Sequence, residues 1–103
     1  MNLLAEIKSR FLTALAPVCD NPADYVDMIR ASQDPKFGDF QANCAMPLGK
    51  KAGKPPRDVA ADIVAHLQVD DLCEPPEIAG PGFINLKVRD DWILNAVNGM
   101  VHD

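Results

Sequence analysis

One short segment carries the side chains best suited to binding chemistry. Residues 83–89 alternate between aliphatic and functional side chains, and the aliphatic set is Ile84, Leu86 and Val88. Successive residues of a strand point to opposite faces of the sheet, so burial of the aliphatic set predicts a second set that faces outward. That outward-facing set is Phe83, Asn85, Lys87 and Arg89.

An exposed aromatic ring, an amide two residues later and two cations suit the recognition of an unpaired base. A ring of this kind stacks on the base, and its replacement by alanine typically costs about 1–3 kcal/mol. The amide of Asn85 offers a donor and an acceptor to the base edge, and Lys87 and Arg89 are placed to meet neighbouring phosphates. Gln41 and Asn43, on the polar face of a second alternating segment, could add hydrogen bonds.

The same residues also fit a plainer interpretation. Phe83 then packs beneath another part of a larger protein, Asn85 satisfies a turn, and Lys87 and Arg89 are ordinary surface charges. Taken alone, the alternation favours this interpretation over RNA binding. The alternative function is therefore an interdomain or protein–protein packing module that makes no contact with RNA.

The charge distribution allows a nucleic-acid partner although the total charge does not favour one. The net charge is −5, and phosphate binding normally needs surplus cations. Lys50, Lys51, Lys54 and Arg57 nevertheless fall within eight residues that contain no acid. Residues 50–56 are predicted to form a loop rich in Gly, Pro and Lys, and its three lysines are further candidates for phosphate contacts.

The sequence contains none of the common catalytic signatures. A Gly-rich phosphate loop with its lysine, G-x-S-x-G and H-E-x-x-H are all missing. Cys19, Cys44 and Cys73 form no C-x-x-C pair, so we expect reduced thiols and neither a zinc site nor a disulfide framework. His66, late in a helix, is expected at a helix end or in solvent.

Hydrophobic periodicity and turn residues predict seven elements. The apolar stretches are far shorter than the roughly 20 residues of a membrane span, and the amino terminus does not resemble a signal peptide. Strand 40–46 is expected to end in a helical tail towards Leu48, and Pro75-Pro76 places the third strand at an edge. The elements are helix 2–16, strand 25–32, strand 40–46, a helix from Pro55-Pro56 to Leu67, strand 72–79, strand 83–89 and a helix capped by Asp90 or Asp91.

This order predicts one domain, residues 1–103, of the α+β class. Strands joined by short turns should be antiparallel, which gives a two-layer fold with a four-stranded antiparallel sheet. The helices are expected on one face, in the order α-β-β-α-β-β-α. The other face of the sheet is then free to bind a partner.

Three stretches together resemble the amino-terminal additional domain of bacterial arginyl-tRNA synthetases. They are Phe37-Gly38-Asp39-Phe40-Gln41-Ala42-Asn43, then Pro56-Arg57 at a helix start, then Glu77-Ile78-Ala79-Gly80-Pro81-Gly82-Phe83-Ile84-Asn85. The resemblance covers about residues 1 to 101. Its first and third stretches are specific, whereas the Pro-Arg helix start is common.

The resemblance implies a cytoplasmic arginine–tRNA ligase, a class I enzyme that uses ATP with magnesium. In that family the additional domain packs on the tRNA elbow and contacts a base of the D-loop of tRNA(Arg) through an aromatic residue and an amide residue. These positions fall on Phe83 and Asn85. Ala79 departs from relatives of fungal type, which carry an asparagine there as a third base contact, so that contact is missing here.

The resemblance also implies what this chain does not carry. The H-x-G-H signature, the K-M-S-K-S-like loop and the helical anticodon-binding domain lie downstream in the family. We therefore expect an excised fragment that needs no cofactor, is not an enzyme by itself and has its own catalytic domain as a partner. The stretch from Phe37 to Asn43 is expected to form a structural turn or a seam against that domain.

Overall fold

A computed structural model describes residues 3–33 and 38–89. The predicted cap at Asn2, part of the predicted turn around Phe37 and the predicted helix after Asp90 lie outside these residues. Within them, three α-helices, two 3-10 turns and four strands alternate along the chain. They are α1 (Leu3–Leu15), 3-10 turns Pro22–Asp24 and Val26–Met28, β1 (Ile29–Ala31), β2 (Phe40–Ala42), α2 (Ala45–Ala52), α3 (Pro56–His66), β3 (Glu77–Ala79) and β4 (Phe83–Leu86).

The four strands form one antiparallel sheet in the order β1-β2-β4-β3. β1 pairs with β2, β2 with β4, and β4 with β3, each in antiparallel register. β3 is therefore an edge strand, as the prolines before it predicted, because Pro cannot donate to a ladder on both sides. The predicted α+β class with a four-stranded antiparallel sheet is confirmed.

Burial separates the two faces of the sheet. One face packs on α1 and α3, whose inward side chains include Phe11 and Ile63, both fully buried. Four strand residues of this face are buried to 1% exposure or less, and they are Ile29, Ala42, Ile84 and Leu86. Helices α1 and α3 therefore cover one face of the sheet. The strand residues between the buried ones point to the other face.

The predicted strand 25–32 is wrong in its first half. Tyr25 caps the 3-10 turn Val26–Met28, and only Ile29–Ala31 join the sheet. Turn-forming residues explain the difference, since Asn21-Pro22 and the nearby aspartates favour local backbone turns over an extended ladder. The predicted strand 83–89 forms β4 and one further bridge, between Val88 and Cys73.

The predicted strand 40–46 is correct only as far as Ala42. A helix begins at Ala45, as the expected tail suggested, but it runs on to Ala52 and includes three residues of the loop predicted for 50–56, namely Lys50, Lys51 and Ala52. Ala, Met, Leu and Lys favour helix, and Pro47 in the first turn has no helical acceptor to lose. Gly53 ends the helix in a left-handed conformation with φ 69°.

Candidate functional site

The open face of the sheet carries a row of polar side chains that crosses all four strands. Arg30 on β1 pairs with Gln41 on β2, Gln41 pairs with Asn85 on β4, and Asn85 pairs with Glu77 on β3. These four residues alternate with the buried strand residues, so their side chains lie on the face away from α1 and α3. The row is the floor of the candidate site.

Beside this row, Phe83 lines an open groove of about 470 Å³. We call it the Phe83 groove, and its walls are Met28, Arg30, Asn43, Met46, Pro47 and Phe83. The walls come from the end of the second 3-10 turn, β1, the residue after β2, the start of α2 and β4. Its surface is mainly apolar, with an amide and a cation at the edge.

The turn before β4 fixes the position of Phe83. Gly80 has φ 56°, and a Cβ built on it would lie 3.3 Å from Cδ2 of Phe83, so the ring packs against this glycine. Gly82 has φ 145°, and a Cβ there would lie 2.8 Å from Cβ of Pro56. Both glycines are therefore required, one for the ring and one for the close approach of α3.

Arg57 holds the same turn from the first turn of α3. Its Nη1 donates to the carbonyl oxygen of Gly80 at 2.5 Å, and Nη2 approaches that of Ile78 at 3.5 Å. The Pro56-Arg57 helix start and the Gly-Pro-Gly turn thus form one structural unit, although Arg57 and Gly80 are 23 residues apart in the sequence. Sequence reasoning treated them as separate signals.

Asn85 lies on the predicted face but is not freely exposed. Its relative exposure is 7%, and Nε2 of Gln41 donates to its Oδ1 at 2.9 Å. The expectation of an exposed amide is therefore wrong, because the neighbouring strand covers it. The Asn85 nitrogen makes no hydrogen bond within the described residues and is not fully buried, so Nδ2 is the atom left for a ligand.

Three of the predicted cations have partners away from the Phe83 groove. Lys54 pairs with Asp62 of α3 at 3.0 Å, and Lys87 lies 3.6 Å from Glu74. Nη1 of Arg89 donates to the Asp70 carbonyl at 2.9 Å. The structure therefore does not bring Lys54, Lys87 and Arg89 together with Phe83.

The two remaining lysines lie on α2. Lys51 lines a separate depression with Cys19 and Asp20. Lys50 is exposed and lies one helical turn beyond Met46, on the same side of α2. Of the predicted lysines, Lys50 is thus the one on the side of α2 that carries Met46, a wall residue of the Phe83 groove.

Sequence reasoning missed Arg30 and the apolar walls of the groove. Arg30 stood in a predicted strand whose imperfect alternation assigned it to neither face. Met46 and Pro47 were placed in or after a strand, whereas they belong to the first turn of α2. The pairing of Arg30 with Gln41 places Arg30 on this face. This pairing is known only from the strand register, so the sequence alone offered no signal for it.

The stretch around Asp39 forms a structural turn, one of the two roles expected for it. Oδ2 of Asp39 accepts a hydrogen bond from the Val88 amide at 2.8 Å, and its own amide donates to Leu86 at 2.7 Å. Gly38 has φ 87°, and a Cβ there would lie 2.6 Å from the Leu86 carbonyl oxygen. These contacts anchor the β1–β2 connection to the end of β4.

The thiols and the histidine agree with their predicted roles. All three cysteines are free, and burial raises the pKa of Cys44 and that of Cys73 to about 11. His66 ends α3, where its Nδ1 lies 2.8 Å from the Asp62 carbonyl oxygen. Among residues 3–33 and 38–89, no cluster of His, Cys, Asp and Glu could hold a metal, and no helix is long and apolar enough to span a membrane.

Comparisons with known proteins identify a family. The model of the family described as "Arginyl tRNA synthetase N terminal domain" matches residues 5–88. The chain is 52% identical over 103 residues to an arginine–tRNA ligase of Rhodopirellula baltica, covering 100% of this chain and 15% of the relative. It is 55% identical over 75 residues to the enzyme of Cutibacterium acnes, covering 73% of this chain and 14% of that relative.

A solved structure has the same fold. The crystal structure of arginyl-tRNA synthetase from Plasmodium falciparum superposes with a TM-score of 0.75 at 19% sequence identity, over 92% of this chain and 17% of that chain. At this identity the likeness concerns the fold alone. The chain spans about 15% of the length of the relatives it matches.

Proposed function

The chain belongs to the arginyl-tRNA synthetase N-terminal domain family, and from that membership we propose that it positions tRNA(Arg) for an arginine–tRNA ligase by binding an unpaired base of the D-loop. The observation that carries the proposal is the Phe83 groove, an apolar slot beside the amides of Gln41 and Asn85, on the face of the sheet opposite α1 and α3. In this proposal the parent enzyme works in the cytoplasm, consumes ATP with magnesium, and holds this domain against its own catalytic domain.

The groove suits a base because its walls combine a ring with flat apolar surface. Phe83 supplies the stacking surface, and Met46 and Pro47 of α2 bound the slot opposite polar groups of the strands. Base–aromatic stacking contributes about 1–3 kcal/mol and tolerates any base. Stacking therefore gives the domain affinity for a looped-out nucleotide without a choice among bases.

Base discrimination falls to the amides. Because Gln41 already donates to Oδ1 of Asn85, the Asn85 side chain presents Nδ2 as a donor, and a base that offers an acceptor completes the pair. Asn43 lies on the groove wall next to Phe83 and offers a second amide. This arrangement reads a base edge by hydrogen bonds while the ring holds the base face.

Replacing Phe83 by alanine tests the proposal. In the ligase that contains this chain, Phe83→Ala should reduce aminoacylation of tRNA(Arg) at limiting tRNA by about tenfold, because the stacking surface is lost. At saturating tRNA the rate should approach that of the parent enzyme, because the substitution removes one tRNA contact and leaves the rest of the enzyme unchanged. Phe83→Tyr, which keeps the ring, is the matched control and should retain most activity.

Two outcomes decide the test. A fall in aminoacylation at limiting tRNA that Phe83→Tyr avoids and that saturating tRNA largely restores supports the D-loop assignment. Equal aminoacylation by Phe83→Ala and the parent enzyme would remove Phe83 from the site and contradict the proposal.

A second candidate function is a packing module without RNA contact. The apolar walls at Met28, Met46 and Pro47 favour it, since such a surface also accepts a side chain from another domain. Chemical-shift mapping of the 103-residue chain with a D-arm RNA hairpin separates the two. Shifts at Phe83, Asn85 and the start of α2 favour RNA, and the absence of shifts at moderate salt favours packing.

A further inference from the structure

We infer that Arg30 binds the backbone phosphate of the nucleotide whose base stacks on Phe83, and that it is the main cationic contact of this domain with RNA. The inference rests on the proposed function and assigns a residue that the sequence patterns did not single out. In this inference Arg30 is the principal phosphate contact. It takes the place of the cations predicted from the sequence, which are Lys50, Lys51, Lys54, Lys87 and Arg89. The partner is a phosphodiester of a single-stranded RNA loop.

The position of Arg30 is set by the strand register. It is the central residue of β1, directly opposite Gln41, while its neighbour Ile29 is 1% exposed in the core. The Arg30 side chain is therefore on the open face, and it lines the Phe83 groove together with Phe83 itself. A nucleotide stacked on that ring carries its phosphate towards the rim of the same groove.

Arg30 is also free to bind an anion. It makes no hydrogen bond or ion pair with any described residue. Among the described residues Lys50 and Lys51 also lack such a partner, whereas six cations are engaged: Lys8 with Asp27, Arg10 with Asp71, Lys54 with Asp62, Lys87 with Glu74, Arg57 with Gly80 and Arg89 with Asp70. In the ion pairs, the acid partner repels an incoming phosphate, so these cations contribute less to RNA affinity than their number suggests.

The guanidinium group fits this role better than a lysine would. Its planar fork donates two parallel hydrogen bonds to a phosphate, and it keeps its charge at every physiological pH. In a chain with net charge −5, a cation inside the groove also offsets repulsion between the protein and the RNA backbone. Lys50, one turn beyond Met46, lies at the outer rim and adds charge at longer range.

Salt dependence of binding measures the contact directly. Each phosphate neutralised on a single strand adds about 0.7 to the slope of log K against log salt, which corresponds to about fivefold in affinity at about 0.1 M salt. The probe is a fluorescent D-arm hairpin titrated with the 103-residue chain over a range of salt concentrations. Arg30→Gln should weaken binding about fivefold and lower the slope by about 0.7, and Arg30→Lys should keep most of the slope.

Lys8→Gln is the matched control, because it removes the same charge from α1, where Lys8 pairs with Asp27 at 3.3 Å. It should leave the slope nearly unchanged. Arg30→Gln with an unchanged slope, or with a change equal to that of Lys8→Gln, overturns the inference. If Phe83→Ala still weakens binding in that case, the proposed function survives and only the role of Arg30 is lost; if Phe83→Ala has no effect, the proposed function fails as well.

Discussion

Gln41 and Asn85 share a hydrogen bond of 2.9 Å, from Nε2 to Oδ1, across the central strand pair of the sheet. An amide has one acceptor and one donor end, so a bond to its oxygen decides which end is left for a ligand. Gln41 therefore orients Asn85 without touching the proposed base. In the proposed site the two residues form one recognition unit, although they are 44 residues apart.

Gln41→Glu should reverse the base preference of the site. A carboxylate only accepts, so Nδ2 of Asn85 must turn towards the new carboxylate once the substitution is made, and Oδ1 then faces the ligand. At the looped-out position, the parent chain should favour uridine, with its O4 acceptor, over cytidine, with its N4 donor. The variant should shift the ratio of the two affinities by about fivefold or more towards cytidine.

Binding of two hairpins that differ in that single base gives the ratio. Gln41→Leu is the control, because it removes the partner without offering a new acceptor and should weaken both complexes alike. Circular dichroism confirms that each variant is folded. A Gln41→Glu chain with the parent preference would mean that Asn85 is oriented by something other than Gln41.

Gly82→Ala should destabilise the domain by about 2–4 kcal/mol. The φ of 145° strains any L side chain, and the added Cβ would lie 2.8 Å from Cβ and 2.9 Å from the backbone carbon of Pro56. Displacing backbone atoms at the start of α3 would disrupt the helix, so we expect the turn that carries Phe83 to shift instead. Urea unfolding measures the loss.

The matched variant is Gly53→Ala. Gly53 has φ 69° at the end of α2, but a Cβ there meets nothing within 4 Å. It should cost about 1–2 kcal/mol from backbone strain alone. Equal losses at the two positions would show that contact with Pro56 does not constrain the turn.

Local patterns predicted the parts of the fold that local physics decides. Pro56 at the start of α3 and the flawless alternation of β4 were predicted because each depends on neighbours in sequence. Ile84 and Leu86 are fully buried, as that alternation required. The fold class followed from the order of these elements.

The candidate site was only half predictable because it depends on distant contacts. Phe83 and Asn85 were identified as a pair, yet the burial of Asn85 depends on the register of β2 against β4. Arg30 enters the groove through the pairing of β1 with β2, and Met46 through a helix that begins inside the predicted strand 40–46. No periodicity within one segment contains these relationships.

Asp71 should contribute to stability in a pH-dependent manner through its contact with Arg10. The guanidinium Nη1 and Nη2 donate to the two carboxylate oxygens at 2.8 and 3.0 Å, linking α1 to the segment before β3. This hydrogen-bonded pair lowers the pKa of Asp71 below its usual value. A carboxyl group with a lowered folded-state pKa stabilises the protein above its unfolded pKa of about 3.9, and loses that contribution as pH falls through the folded value.

Asp71→Asn should therefore cost about 0.5–1 kcal/mol at pH 7, a small value because the Asp71 side chain is 63% exposed and solvent screens the pair. The difference between parent and variant should shrink as the pH falls below about 4, where the unfolded carboxyl protonates, and should be lost below the lowered folded-state pKa, where the carboxyl is protonated in both states. Urea unfolding at pH 7 and in acid measures this difference in the free energy of unfolding.

Asp70→Asn is the control, because it removes the same charge from the adjacent residue, whose carboxylate forms no ion pair with the described residues. A loss for Asp71→Asn that equals the loss for Asp70→Asn at pH 7, or that persists undiminished in acid, would show that the Arg10 contact contributes nothing of its own.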